Sequence, residues 1–290
     1  MAILSYDDRD GVIWFNGALV PWRDAKIHVL NHGLHYASCV FEGVRVYSGK
    51  VFKLHEHSER LAKSAELIGF KLPYSIAELN AATEEVVKAQ GVVNGYIRPV
   101  AWRGSEMMAI SSRMSRVHVA IATWEWATYF SKEHKEKGVR LAISSWKRPA
   151  PDTAPTASKA AGLYMICTMS KHAAEEAGFD DALMYDYRGY VAEATGANIF
   201  FFMNGELHTP APDCFLDGIT RRTVMDLARK RGIKVVERHI KPDEIGFAQE
   251  VFLTGTAAEI TPVASIADYQ YVVGAQTKQL MADYEQLVNS

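Results

Sequence analysis

Four short glycine turns sit between strand-like runs, in both halves of the chain. Asn16-Gly17 lies inside "VIWFNGALVPW" and Ser48-Gly49-Lys50 inside "CVFEGVRVYSGKVFKL". Arg188-Gly189 and Asn204-Gly205 lie inside "DALMYDYRGYVAEATGANIFFFMNGELHTP". Such pairs tolerate the positive φ that a tight hairpin demands, so each predicts two antiparallel strands rather than a helix. Between the hairpins the period changes. In "HEHSERLAKSAELIGF", Leu61, Ala65 and Ile68 recur at helical spacing and Gly69 marks a stop. "SIAELNAATEEVVKAQG" repeats the pattern, with Ser75 as a cap three residues before Glu78. "GYIRPVAWRG" and "RVHVAIATWEW" read as strands again. Strands and helices that alternate this irregularly predict an α+β fold.

Residues 127–138 read as a connector, dense in charge from Lys132 to Lys137. After it come a strand, "VRLAISSWKR", and a loop with Pro149, Pro151 and Pro155. "AAGLYMICTMSKHAAEEAG" and the amphipathic "TRRTVMDLARKRG", closed by Gly232, predict helices. "EVFLTGTAAEITPV" predicts a buried strand that runs into a Gly-Thr loop. The expected division is therefore a small α+β domain over 1–126, the connector over 127–138 and a larger domain over 139–290. No internal repeat is visible.

The 290 residues are 48% hydrophobic and 23% charged, enough for a full core. A formal net charge of −2 gives no electrostatic case for nucleic acid or an anionic membrane. No apolar run approaches the length of a membrane span. "MAILSYDDRDG" is acidic soon after Met1 and lacks a signal-peptide layout. Cys39, Cys167 and Cys214 have no metal or CxxC spacing, which suits packed thiols in a reducing cytoplasm. His55 and His57 in "HEH" offer a metal pair, but their charged neighbours favour a solvated helix start.

Lys159 stands alone as a long cation in "PTASKAAGLY". Small neighbours let a bulky ligand approach, so it reads either as a nucleophile or as a surface lysine at a helix start. "LDGITRRT" sets Gly218 before a helix that begins near Thr220, and a helix start presents unpaired N–H groups to an anion. "TGTAAE" is a second loop of small donors, with Thr254 and Thr256. Arg60 offers a planar fork for the same anion, or a surface pair with Glu56. Glu193 in "YVAEATGANIFFF" is a carboxylate in an apolar strand. It needs a partner such as a cationic ring nitrogen, or else it faces water at the strand end.

A lysine nucleophile, a strand carboxylate and phosphate-type loops together describe a pyridoxal phosphate site. The sequence resembles the fold-type IV, class IV aminotransferases, and most closely the bacterial branched-chain amino acid aminotransferases. The likeness runs over nearly the whole chain. "WFNG", "LHYASCVFEGVRVY", "HSERLAKSA", "YIRP", "SSWKRPAPDTAPTASKAAGLY", "EATGANIF", "LDGITR" and "FLTGTAAEITPV" match in order and separation. It implies the two-domain fold of the D-amino acid aminotransferase-like enzymes. It also implies transamination between leucine, isoleucine or valine and 2-oxoglutarate.

The resemblance implies roles as well. Lys159 would bond the cofactor and shuttle the proton, and Glu193 would partner the pyridine nitrogen. Arg60, Ile219, Thr220 and Thr256 would hold the phosphate, and Tyr164 the phenolate oxygen. Tyr96, Thr256 and Ala257 would take the substrate carboxylate. Tyr36, Phe41 and Trp126 would wall the side-chain pocket, Tyr36 from a partner subunit, which implies a homodimer as the minimal active unit and leaves a hexamer open. Arg98, which by its strand position points either to solvent or into the site, would receive the distal carboxylate of glutamate. D-amino acid and (R)-amine transaminases and aminodeoxychorismate lyase share the fold, and "YIRP" with the aromatic wall separates this chain from them. A cofactor carrier without turnover would not need Arg98. The loop with Met107 and Met108 replaces a glycine-rich one in many relatives, and it bears on substrate range.

Overall fold

The Asn16-Gly17 turn joins β1 (Val12–Phe15) to β2 (Ala18–Pro21), with both turn residues at positive φ. It opens the first of two units in the computed structural model, which describes residues 5–126 and 131–290. The first unit holds residues up to 127 together with Ser158–Gly162, and the second holds the remainder.

Further along the first unit come α1 (His32–Tyr36), β3 (Cys39–Phe41), β4 (Val44–Tyr47) and β5 (Lys50–Val51). α2 (Leu54–Leu67), α3 (Ile76–Gln90), β6 (Gly95–Arg103) and β7 (Val117–Glu125) follow. The strands form an antiparallel sheet in the order β2-β1-β7-β6-β4-β5, with β3 also on β6. The expected capping box starts α3: Ser75 Oγ accepts from Glu78 N–H, and Glu78 Oε2 accepts from Ser75 N–H at 2.7 Å. Such a cap contributes about 1 kcal/mol. α2 and α3 turn Leu61, Ala65, Leu79, Ala82 and Val86 into the core.

One break in this sheet shapes the site. Pro99, inside β6, has no N–H to give a neighbouring strand. β3 pairs with β6 on one side of it and β4 on the other, and the chain between them kinks at Glu42-Gly43. Glu42 N–H still reaches Pro99 O at 2.8 Å, and the Glu42 side chain is wholly buried.

In the second unit, α4 (Lys132–Lys137), β8 (Val139–Ile143), α5 (Met165–Glu176), β9 (Asp181–Tyr185) and β10 (Val191–Ala194) come first. β11 (Asn198–Met203), β12 (Glu206–Pro210), α6 (Ile219–Lys230) and β13 (Val235–Arg238) follow. β14 (Glu250–Gly255), β15 (Glu259–Ile266), β16 (Tyr269–Gln270) and α7 (Ala275–Val288) end it. The sheet order is β10-β9-β8-β15-β14-β11-β12-β13, with β16 on β15. β8 is parallel to β9 and β15, and β12 to β13, while the other pairs are antiparallel. β11 is covered on both faces. Phe200 stacks on Phe252 with ring centroids 5.1 Å apart, while Ile199, Phe201 and Met203 enter the opposite core. That explains why "NIFFF" reads as a continuous apolar run. Among the described residues no helix is long and apolar enough to cross a membrane.

Two segments depart from a single cut in the chain. Residues 158–162, on the far side of the expected boundary, group with the first unit because they pair with it: Val40 bridges Ala160, and Phe41 N–H donates to Lys159 O at 3.1 Å. Of the expected connector, 127–130 lie outside the described residues. Lys132–Lys137 form α4, capped by Ser131 and tied to β15 by Lys135 Nζ on Glu259 at 2.6 Å.

Candidate active site

In the first unit the backbone of Lys159 is bonded on both sides. Its N–H donates to Ser64 Oγ on α2 at 3.0 Å, and its carbonyl accepts from Phe41. Ser158 Oγ adds a bond to Ser64 O at 2.9 Å. The segment can approach this closely because its residues are small. A side chain added at Gly162 would meet Ala37 Cβ at 3.1 Å. Lys159 is thus not a surface lysine at a helix start. It is half-buried, with Nζ 5.0 Å from the centroid of the Phe41 ring.

Arg98 stands over the same ring, its Cζ 4.8 Å from the centroid. Its Nη2 donates to Tyr96 Oη at 3.2 Å, and its Nε is buried with no hydrogen-bond partner among the described residues. So the guanidinium lies on the sheet among aromatic groups rather than in solvent. A buried donor without a protein acceptor marks a place where an anion is favoured. Tyr96 meets Trp126 edge-on at 4.6 Å. Gly43 makes room for Tyr96, because a Cβ there would collide with its hydroxyl. Beyond Arg98 a groove of about 440 Å³ is lined by apolar side chains including Phe15, Ile27, Leu34 and Val100. Tyr36, at the end of α1, is 42% exposed, and Met107 and Met108 lie in the loop between β6 and β7.

The helix start at "HEH" is not solvated as expected. His55 is exposed, but His57 is buried with Nδ1 2.7 Å from Glu42 Oε2. Arg60 pairs with Glu42 and not with Glu56: Nε donates to Oε1 at 2.7 Å and Nη2 to Oε2 at 2.9 Å. Burial alone would raise the Glu42 carboxyl. The Arg60 charge and the His57 bond reverse this and hold it well below the usual carboxylate range. For His57, burial outweighs the carboxylate and pushes the imidazole below its ordinary value. The bond is then Nδ1–H donating to Glu42.

In the second unit Glu193 sits on β10, beside a bulge, almost wholly buried. It does not face water. Arg148 Nε is 3.4 Å from Oε1, and Asn198 Nδ2 donates to Oε2 at 3.2 Å. Burial pulls the Arg148 guanidinium down, but the Glu193 charge prevails and holds it firmly protonated. Asn198 also donates to Leu216 O at 3.0 Å, which ties the loop before α6 to the same strand. Gly218 is the cap of that helix, and a Cβ there would collide with Asn198 Oδ1. Ile219 and Thr220 supply the unpaired N–H groups of the first turn. Asn198 pairs with Thr254 across β11 and β14, so the turn with Thr256 and Ala257 lies beside Gly196 and Ala197. Thr254 Oγ1 is buried with no hydrogen-bond partner among the described residues. Tyr164 ends the short turn Ala161–Tyr164 that leads into α5.

Each unit thus gathers part of the expected set. Lys159, Phe41, Tyr96, Arg98, Trp126 and Arg60 belong to the first, and Glu193, Tyr164, Ile219, Thr220, Thr256 and Ala257 to the second. The donors suit the expected cofactor: a helix start without a Cβ in the way fits a phosphoester, and a paired carboxylate fits a ring nitrogen. Elsewhere, Asp186, Asp213 and Cys214 lie close enough to share a cation. Arg188 Nη2 already reaches both carboxylates, at 2.6 and 2.8 Å, so their charge is matched. Glu42, Ser64 and Arg148 escaped the sequence reading. The one local signal was Glu42, a carboxylate between apolar runs in "CVFEGVRV".

The chain is 41% identical to the branched-chain-amino-acid aminotransferase of Pseudomonas aeruginosa, over 99% of this chain and 95% of that one. It superposes on the branched-chain aminotransferase of Thermoproteus uzoniensis, solved with norvaline, with a TM-score of 0.93 and 37% identity, covering 97% of this chain and 95% of that chain. The Thermobaculum terrenum enzyme in its PLP form gives a TM-score of 0.87 and 30% identity over 97% and 94% of the two chains. The model of the amino-transferase class IV family matches residues 39–266, and with these likenesses over almost its full length the chain belongs to that family.

Proposed function

We infer that the chain is a pyridoxal phosphate-dependent aminotransferase. It moves amino groups between leucine, isoleucine or valine and 2-oxoglutarate, giving branched-chain 2-oxo acids and glutamate. The observation that carries this reading is the position of Arg98, a lone guanidinium over Phe41, beside Tyr96 and the apolar groove. An aromatic wall suits a branched aliphatic side chain, whose burial contributes about 2 kcal/mol. A guanidinium within that wall suits the distal carboxylate of glutamate.

The cofactor, when bound, supplies an electron sink for the bond between the α-carbon and its hydrogen. Lys159 Nζ is the covalent anchor and the base that takes the α-proton and returns it. Its backbone bonds to Ser64 and Phe41 keep the amine from drifting through that cycle. Glu193 holds the positive charge on the ring nitrogen, and Arg148 and Asn198 keep the carboxylate ionised and in place. Arg60, the N–H groups of Ile219 and Thr220, and Thr256 take the phosphate, and Tyr164 the phenolate oxygen. Tyr96 and Ala257 N–H orient the substrate carboxylate. Phe41 and Trp126 exclude water. We assign the enzyme to the cytoplasm, which suits its three free cysteines.

The working form is a homodimer at least. This is supported by the apolar exposure of the first unit, where Ile27, Leu34, Tyr36, Ile110 and Met114 are 42% exposed or more. Such a patch is unusual on a monomer. Sedimentation at assay concentration is expected to give a dimer or larger, and an active monomer would contradict this.

A donor panel tests the activity itself. With 2-oxoglutarate as acceptor, leucine, isoleucine and valine are expected to give glutamate. Turnover confined to D-alanine or an (R)-amine would overturn the assignment.

A further inference from the structure

Glu42 is wholly buried, yet it is ionised and accepts four hydrogen bonds. Arg60 Nε reaches Oε1, while Arg60 Nη2, His57 Nδ1 and Gly43 N–H reach Oε2. A buried ion pair is a poor source of stability, since an apolar replacement of equal volume is often as good or better. What it does provide is geometry. Two parallel bonds fix the plane of a guanidinium that would otherwise swing on a flexible stem. His57 and the kink opposite Pro99 in turn fix the carboxylate. Arg60 and Ser64 lie one turn apart on α2, and Ser64 holds the backbone of Lys159. The same helix therefore sets Arg60 and Lys159 in register.

We propose that Glu42 is a positioning residue for cofactor binding: through its bidentate bond it holds the Arg60 guanidinium in the orientation that receives the phosphate. The inference rests on the reading of Arg60 given above. Two effects of Glu42 oppose each other. Its charge partly cancels that of Arg60 and weakens the pull on a dianion. Its bonds pre-orient the fork and strengthen it. The proposal states that orientation wins.

The test is titration of the full-length apoprotein, followed by tryptophan fluorescence, with pyridoxal phosphate and with pyridoxal, which lacks the phosphate. Glu42→Gln keeps the shape and removes the charge. It is expected to weaken pyridoxal phosphate by about tenfold or more, and pyridoxal by less than about twofold. Equal losses for both ligands would make Glu42 merely structural. Unchanged or tighter pyridoxal phosphate would mean that it only screens Arg60. Either result overturns the proposal. Glu42→Asp, charged but too short to span Nε and Nη2, is expected to show the same phosphate-selective loss and serves if the amide variant does not fold. Arg60→Ala separates the two levels of the argument. If it leaves the preference for the phosphorylated ligand intact, the role given to Arg60 fails. If it removes that preference while both Glu42 variants keep it, only the role of Glu42 fails. In the Arg60→Ala background, Glu42→Gln is expected to have no further phosphate-selective effect.

Discussion

Lys159→Ala is expected to lower transamination by roughly a thousandfold or more, the largest loss from any single change in this chain. One amine carries both the covalent attachment and the proton transfer, so no neighbour takes over. The fold is expected to survive, because Lys159 is held by its backbone. The N–H on Ser64 Oγ and the carbonyl under Phe41 N–H remain in an alanine variant. What is lost is the contact of Nζ with the Phe41 ring, and a half-exposed contact of that kind is worth about 0.5–1 kcal/mol. Thermal unfolding should therefore move by only a few degrees. The absorbance of covalently held cofactor should vanish while non-covalent binding persists. Normal turnover with normal absorbance would remove Lys159 from the centre of the reaction.

What was legible in the sequence was local. The Asn16-Gly17 hairpin and the Ser75–Glu78 cap each depend on residues within a few positions, and both form as the spacing predicts. β13 and β16 gave no such signal. They are short, and β13 exists only because it lies parallel to β12, a pairing that a connection through α6 makes possible. The grouping of Lys159 with the first unit was equally hidden, since it depends on β3 and α2, far back in the chain.

The site divides in the same way. Residue types at fixed spacing suggested the Gly218 helix start and the small-residue turn, and the family resemblance supplied the roles. Neither revealed what holds the key side chains. Arg148 reads as one more cation at a strand end, and only the fold brings it to Glu193. His57 looked solvated because its sequence neighbours are charged. The kink at Glu42-Gly43 supplies the buried carboxylate that makes its burial possible.

Arg98→Ala is the second large effect, and it is selective. The guanidinium lies over Phe41 with Tyr96 Oη as its one hydrogen-bond partner in the protein among the described residues, and its Nε is left without one. A distal carboxylate placed there gains a charge-assisted hydrogen bond worth about 1.5–3 kcal/mol. At about 1.4 kcal/mol per decade, its loss lowers kcat/KM for glutamate by roughly ten- to a hundredfold. Leucine has no carboxylate at that end and relies on the apolar wall, which the variant leaves standing. The leucine half-reaction should therefore change by less than about threefold.

The central claim is that one pocket serves an aliphatic and an acidic substrate by sharing its wall between aromatic rings and one guanidinium. The direct measurement is single-turnover conversion of the cofactor in Arg98→Ala, with leucine and with glutamate as separate donors. The account predicts a loss confined to glutamate, and equal losses with the two donors would contradict it.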